Sequence, residues 1–186
     1  MRIYAFNHDE ATRAFKEAAR LDPNCAMAYW GIALTLGPNY NLPVDAERDR
    51  AAYEAVQKAS VLAPKVSEAD RAYIEALAKR HAAAPKADRK ALDVAYADAM
   101  REVAKRFPDD LNAATLFAEA MMNLRPWGLW TMDGQPAPGT EEIVSTLESV
   151  LQRNPEHPGA IHYYIHAVEA STQPERAEPF ADRLGK

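Results

Sequence analysis

Four prolines close helical segments of this chain at separations of 41, 44 and 47 residues. They stand in the tripeptides Leu-Asp-Pro23, Leu-Ala-Pro64, Arg-Phe-Pro108 and Arg-Asn-Pro155. Proline ends a helix because it has no backbone N–H to donate and because its ring clashes with the preceding turn. A regular recurrence of such helix ends indicates an array of similar helical units.

The residues on either side of each proline repeat as well. Small or apolar residues recur 12, 8 and 5 positions before the prolines, at the spacing of one helix face: Ala11, Phe15, Ala18; Ala52, Val56, Ala59; Tyr96, Met100, Val103; Ile143, Leu147, Val150. A second helical pattern follows each proline: Tyr29-x-x-Ile32-Ala33-x-x-Leu36, Asp70-x-x-Tyr73-Ile74-x-x-Leu77, Ala114-x-x-Phe117-Ala118-x-x-Met121 and Ile161-x-x-Tyr164-Ile165-x-x-Val168. The pattern after Pro64 is the weakest of the four. Each unit is therefore predicted to be a pair of helices.

Helix-forming residues with apolar positions three and four apart predict helices along almost the whole chain. The predicted helices cover 9–21, 25–36, 46–63, 67–83, 88–106, 111–124, 141–153 and 159–170. A shorter last helix is predicted over 175–184, limited by Pro179. Since strand-like alternation of β-branched residues is absent, we predict an all-α fold in one domain, residues 1–186.

The repeat resembles the tetratricopeptide repeat, a helix-turn-helix unit with the pattern W-x2-L-G-x2-Y, then A-x3-F, then P. The resemblance covers nearly the whole chain and implies a right-handed α-solenoid of antiparallel helix pairs. The implied repeats, about four and a half in number, are 1–24, 25–65, 66–109, 110–156 and 157–186. The sequence departs from the pattern in lacking the leading Trp and in the large residues Tyr96 and Ile143.

Three longer stretches are similar to a group of bacterial tetratricopeptide proteins that are often exported: YAFNHDEA, YWGIALTLGPNYN and HYYIHAVEAS. Residues 2–7 match only the tail of a first helix, and Leu184-Gly-Lys stops before a closing proline. We therefore expect a fragment of a longer protein, or self-association through uncapped end helices. The start MRIYAFNHDE has no apolar region of a signal peptide, which leaves the compartment open: cytoplasmic, or exported if a longer precursor exists.

The repeat period exceeds that of the family, so each complete repeat is expected to carry an insertion between its two helices. The insertions are 37–47, 81–88 and 123–140, and they are predicted to emerge on one edge of the array. Tyr40, Trp127 and Trp130 lie in them and are candidate binding residues. Two interpretations stay open for these aromatic residues: a lid over a groove, or a small satellite core that fixes the loops.

In the family, one face of each first helix lines a concave groove where partner segments bind. Alignment within this chain places a mixed set of residues on that face: Met27, Trp30, Leu34, Arg71, Glu75, Thr115, Glu119, His162, His166 and Glu169. The groove is expected to be apolar and aromatic at its N-terminal end and to carry carboxylates and histidines at its C-terminal end. The resemblance thus implies a module that binds a peptide or protein segment and has no catalytic residues.

The alternative is a metal-binding protein or metal-dependent enzyme. His162 and His166 lie four residues apart on one helix face, a common arrangement for ligands of zinc or another transition metal. Glu119 and Glu169 are the candidates for further ligands. The metalloprotease pattern is not met, because Tyr163 follows His162 where that pattern needs Glu. No other cofactor is expected. A third interpretation is a purely structural array that pairs through its ends.

Composition narrows the choice of partners. The net charge of −5, without a concentrated basic stretch, argues against nucleic acid. No apolar run has the length of a membrane span. The lone Cys25 cannot form an internal disulfide, and we propose no nucleophile there. His8 and His81 lie outside the predicted helix that carries His162 and His166, and His81 is expected to be exposed.

Overall fold

A computed structural model describes residues 3–83 and 88–184. Over these residues the chain is all-α, as predicted, and the only β-structure is two isolated bridges. The α-helices of this part of the chain are α1 His8–Leu21, α2 Ala26–Leu36, α3 Ala46–Leu62, α4 Glu68–Ala78, α5 Arg89–Arg106, α6 Leu111–Met122, α7 Thr140–Arg153, α8 Pro158–Val168 and α9 Glu178–Ala181. There are also two 3₁₀ turns: Ala63–Lys65 follows α3, and Pro174–Ala177 precedes α9.

Local signals explain most helix boundaries. The side chains of Asp45, Ser67, Asp88 and Asp110 accept hydrogen bonds from backbone N–H groups in the first turns of α3, α4, α5 and α6, which satisfies donors that have no partner within the helix. Each of the four repeat prolines lies two residues beyond the end of α1, α3, α5 or α7. Seven of the nine predicted helices therefore agree with the structure to within two residues.

Two of the predicted helices were too long. The helix expected over 67–83 ends at Ala78, and Arg80 and His81 lie in the connection that follows. The last helix, expected over 175–184, is a 3₁₀ turn followed by the single α-helical turn Glu178–Ala181. Part of the second insertion, residues 84–87, lies outside the described residues.

Consecutive helices pack against each other from α1 to α8, and α2 also packs on α4 and α6 on α8. Small residues permit the close approaches: a Cβ atom on Gly31 of α2 would overlap the ring of Phe15 on α1. The apolar core is continuous along the chain direction. One cluster joins α2 to α6, and a second joins α6 to α8.

The loops formed by the three insertions meet on one side of the molecule. The ring of Tyr40 in the first loop lies 5.1 Å from the ring of Trp127 in the third. A Cβ atom on Gly37 of the first loop would lie 3.5 Å from Cε1 of His81 in the second. The helices below these loops therefore carry them on a common edge. Across the described ranges, no helix combines the length and apolar character needed to span a bilayer.

Candidate functional site

Residues 3–6 form a turn, and Ile3, Tyr4 and Phe6 of this turn pack against the apolar core clusters. This corrects the interpretation of residues 2–7 as the tail of a helix. Ile3 and Tyr4 share a cavity of about 250 Å³ with residues of α2, α4 and α6 and with the cap of α6: Met27, Trp30, Leu34, Tyr73, Asp110, Asn112 and Leu116. A segment near the start of the chain thus lines a cavity together with three of the residues that the sequence assigned to the groove, Met27, Trp30 and Leu34.

Polar and aromatic contacts fix Tyr4 at several points. Its hydroxyl donates a hydrogen bond to Oδ1 of Asn112, and its backbone carbonyl accepts one from Nδ1 of His162. Its ring lies edge-on to Tyr163, with centroids 6.1 Å apart, and against His157 at 5.5 Å. Burial raises the pKa of Tyr4, with Asp110 adding to the effect, so the phenol is a neutral donor over the physiological range.

Phe6 follows in a conformation that side chains rarely adopt. Its φ is 51°, in the left-handed region. The ring stacks on Tyr163 at 5.6 Å and on His166 at 5.9 Å, and lies 4.7 Å from His162. A left-handed aromatic residue costs about 1–2 kcal/mol, so these ring contacts must hold the turn in place.

His166 lies among three aromatic rings. Besides Phe6, Tyr40 lies 5.5 Å and Trp127 6.0 Å from its imidazole centroid. Trp127 has a φ of 58°, and it and Phe6 are the two residues other than glycine with positive φ in the described ranges. Strained backbone of this kind tends to occur at functional sites, and here both instances contact one histidine.

A chain of hydrogen bonds runs through the two histidines. Nδ1 of His166 lies 2.8 Å from Oε1 of Glu169, and its Nε2 lies 3.1 Å from Nε2 of His162. Nδ1 of His162 in turn reaches the carbonyl of Tyr4. Burial lowers the pKa of His162, and the nearby His166 lowers it further. The structure therefore brings together His162, His166 and Glu169, as the sequence predicted, and connects them to the segment in the groove.

A cluster of buried polar side chains lies in the interior behind this site. Arg80 is 1% exposed, its Nε donates to Oδ1 of Asp93, and its guanidinium lies 4.7 Å from the centroid of Tyr96. Glu119 is also buried, and its Oε1 accepts from Asn123. Burial raises the pKa of Glu119, and Arg80 partly opposes this. Glu119 is thus a core residue of α6 instead of an exposed groove carboxylate.

The predicted groove residues divide into two sets. Met27, Trp30 and Leu34 line the same cavity as Tyr4. Arg71 and Glu75 line other cavities, formed with α3 and α5, and Tyr73 is the α4 residue in the Tyr4 cavity. The alignment of the repeats within the chain therefore chose the wrong α4 residues for this cavity. The repeat pattern that it used is weakest after Pro64. The Nε of Arg71 instead donates to the carbonyl of Ala63, in the 3₁₀ turn before α4.

Thr115, also expected on the groove face, is fully buried, and its hydroxyl donates to the carbonyl of Leu111 one turn earlier. Because this hydroxyl is satisfied within its own helix, it offers no contact to a ligand. The α6 residues that line the cavity with Tyr4 are Asn112 and Leu116.

The loop aromatics have separate roles. Trp130 is partly buried and donates from Nε1 to the carbonyl of Ala167, 2.7 Å away, so it fixes the third loop to α8. Trp127 is 63% exposed and lies beside the His166 cluster. It also borders a cavity of about 340 Å³ together with Tyr40 and the first loop. Trp130 therefore fixes its loop to the helices, and Trp127 presents an exposed ring beside Tyr40 and His166.

The other histidines are structural. His81 is buried, contrary to the expectation that it is exposed, and its Nδ1 lies 2.7 Å from Oδ1 of Asp49. His8 is buried too, with its Nδ1 3.1 Å from the carbonyl of Thr35. His157 caps α8 by accepting from the N–H of Ala160. Burial lowers the pKa of all three imidazoles.

Sequence reasoning missed four residues of this site, Tyr4, Phe6, Tyr73 and Asn112, and the buried Arg80 behind it. The sequence does show Tyr4 and Phe6 as two aromatic residues shortly before Asn7, the residue that precedes α1. Arg80 could not be recognised, because a buried arginine and an exposed arginine look the same in a single sequence.

A metal site with three protein ligands is not formed within the described ranges, where no three His, Cys, Asp or Glu side chains converge suitably. Glu119 in particular is 5% exposed, and its Oε1 accepts a hydrogen bond from Asn123. Comparison with protein-family models, with curated proteins and with solved structures gave no match.

Proposed function

We propose that the chain is a binding module of the tetratricopeptide type, a right-handed α-solenoid whose concave groove holds a peptide or protein segment. The observation that carries this proposal is the position of Tyr4. A short segment with an aromatic side chain lies against α2, α4, α6 and α8, which are the first helices of four successive repeats. Residues 3–6 therefore act as an internal model of the ligand.

The contacts of Tyr4 indicate what the groove selects. The apolar wall of Met27, Trp30 and Leu34 suits an aromatic ring, since burial of such a ring supplies much of the binding free energy at interfaces. Asn112 accepts a hydrogen bond from the tyrosine hydroxyl, and His162 donates one to the backbone carbonyl. A main-chain contact of this kind does not depend on the ligand's sequence, whereas the Asn112 contact distinguishes tyrosine from phenylalanine.

The internal segment must compete with any external ligand. A tethered segment has a high effective concentration, on the order of millimolar for short flexible linkers. Free peptide is therefore expected to bind weakly to the wild-type chain. It should bind more tightly once the internal tyrosine side chain is removed, because the position of its ring is then vacant.

The test uses full-length chains with the substitution Tyr4→Ala and a labelled, N-acetylated peptide IYAFNH, corresponding to residues 3–8. Fluorescence anisotropy should show at least tenfold tighter binding to Tyr4→Ala than to wild type. A peptide with tyrosine replaced by alanine should not bind. If Tyr4→Ala is folded by circular dichroism but binds both peptides equally or neither, the groove is not a site for such segments.

A matched control isolates one hydrogen bond. Asn112 is exposed apart from its contact with Tyr4, so Asn112→Ala in the Tyr4→Ala background should leave the fold intact and weaken binding of IYAFNH. The same substitution should have little effect on a peptide carrying phenylalanine in place of tyrosine. Equal weakening for both peptides would contradict the role assigned to Asn112.

A further inference from the structure

The hydrogen bonds of His162 and His166 determine where their ring protons lie. Nδ1 of His162 faces the carbonyl oxygen of Tyr4, and Nδ1 of His166 faces a carboxylate oxygen of Glu169. A carbonyl and an ionised carboxylate can only accept. Both Nδ1 atoms are therefore donors, and each carries a proton.

This assignment leaves two lone pairs facing each other. A neutral imidazole with a proton on Nδ1 presents an unprotonated Nε2. The two Nε2 atoms lie 3.1 Å apart, a distance at which two lone pairs repel unless a positive species lies between them. That species is either a proton, which converts one ring into an imidazolium, or a metal ion.

We propose that the Nε2 atoms of His162 and His166 form a binding site for a divalent late transition-metal ion, with zinc or nickel as representative ions. The ion takes the place of the shared proton, which is released to solvent. This inference does not depend on peptide binding in the groove.

The separation of the two Nε2 atoms allows both to bind one ion. Metal–nitrogen bonds of about 2.0–2.1 Å from two atoms 3.1 Å apart enclose an angle of roughly 95–102° at the metal. That angle lies between the octahedral and the tetrahedral values. The i, i+4 spacing on α8 holds the two rings at this separation, so little ordering is needed on binding.

The second shell is also of the type that metal sites use. A ligating histidine usually donates its other ring N–H to a carboxylate or a backbone carbonyl, which fixes the tautomer and the orientation of the ring. Here the carboxylate of Glu169 accepts from His166, and the backbone carbonyl of Tyr4 accepts from His162. The carboxylate of Glu169 also offsets part of the charge of a divalent ion. The aromatic neighbours Phe6, Tyr40 and Trp127 contribute no like charge.

Two protein ligands set the expected strength and selectivity. With no third protein ligand in the described ranges, water or a bound molecule must complete the coordination, so affinity is below that of a closed structural site. Imidazole nitrogen selects ions such as Zn²⁺, Ni²⁺ and Cu²⁺ over Mg²⁺ and Ca²⁺, which prefer oxygen. The order of affinity among divalent ions should place Cu²⁺ first.

The test is calorimetric titration of the untagged, metal-free chain with Zn²⁺ and with Ni²⁺, in two buffers of different ionisation enthalpy. The expected result is one ion bound per chain, with close to one proton released. His162→Gln and His166→Gln should each weaken binding at least tenfold. His81→Gln, which removes a histidine elsewhere, should leave binding unchanged. Excess Mg²⁺ or Ca²⁺ should not compete.

A second measurement uses the wild-type chain alone and does not depend on how the variants fold. Imidazole ¹⁵N spectra should show both Nε2 resonances shifting on addition of Zn²⁺ while both Nδ1 atoms stay protonated. Binding of equal strength in the His166→Gln variant overturns the proposal. So does a spectrum in which the Nε2 atoms share a proton and stay unaffected by millimolar Zn²⁺.

Discussion

Gly159 of α8 and the ring of Tyr4 are packed so closely that no side chain fits between them: a Cβ atom on Gly159 would lie 2.6 Å from Cδ1 of Tyr4. The substitution Gly159→Ala should therefore force the tyrosine ring out of its position. Overpacking of this kind costs about 1–3 kcal/mol, partly offset by the higher helix propensity of alanine, up to about 1 kcal/mol. Urea denaturation of the wild-type and variant chains should show a net loss of stability.

The control is the same substitution in the Tyr4→Ala chain. With the ring absent there is nothing to overlap, so Gly159→Ala should be neutral or stabilising in that background. The difference between the two backgrounds measures the coupling between α8 and residue 4. An identical effect of Gly159→Ala in both would mean that Tyr4 does not occupy the groove in solution.

Arg80 should be among the most sensitive polar positions in the chain. It is 1% exposed, its Nε contacts Asp93, and its guanidinium packs on the ring of Tyr96. Removal of one member of a buried charge network leaves the others without compensation, at a cost of about 3–5 kcal/mol. Arg80→Ala should lower the urea midpoint accordingly. Arg50, whose contact with Glu54 is at the exposed surface, is the matched control, and Arg50→Ala should leave the midpoint unchanged.

The contrast between the helix boundaries and the site shows what one sequence can predict. Helix ends depend on short-range chemistry, such as a capping Asp110 or a Pro108 two residues after α5, and these signals are visible in the sequence. The pairing of His162 with His166 also follows from spacing along one helix. Both predictions needed only local geometry.

The errors have a different origin. Arg71 and Glu75 were grouped with Met27, Trp30 and Leu34 by alignment of the repeats, but Tyr73 is the α4 residue that shares a cavity with those three. The rotation of a helix about its axis depends on its packing partners, and a weak repeat pattern cannot fix it. The contact between Tyr4 and His162 spans 158 residues of sequence. A contact between residues so far apart leaves no periodic pattern in the sequence from which it could be predicted. The same holds for the burial of Glu119 beside Arg80.

Burial of His81 should make the folded chain less stable in mild acid. Burial lowers the pKa of this imidazole to about 4, although Asp49 opposes the effect, and the unfolded chain has a pKa near 6.5. The unfolded state therefore binds more protons between these two values, and stability falls as the pH drops through this window. The contribution of His81 to this loss should be about 2 kcal/mol between pH 7 and pH 5.

The check compares urea denaturation of wild type and His81→Gln at pH 7 and at pH 5. The other buried histidines titrate in both proteins, so the difference in pH dependence isolates His81. We expect the variant to be less stable at pH 7 and to lose less stability on acidification. Parallel pH profiles would show that His81 keeps an ordinary pKa in the folded chain.

The two loop tryptophans should differ in what they contribute to the fold. Trp130→Phe removes the donor to the carbonyl of Ala167 and should cost about 1–3 kcal/mol. Trp127 is exposed and has a left-handed backbone, so Trp127→Gly relieves about 1–2 kcal/mol of strain while losing ring contacts with Tyr40 and His166. Its net effect on thermal stability should be close to zero. A strained, exposed aromatic residue that adds nothing to stability is best explained by a role in binding at the His166 cluster, whereas a large loss of stability in Trp127→Gly would assign this residue to the fold.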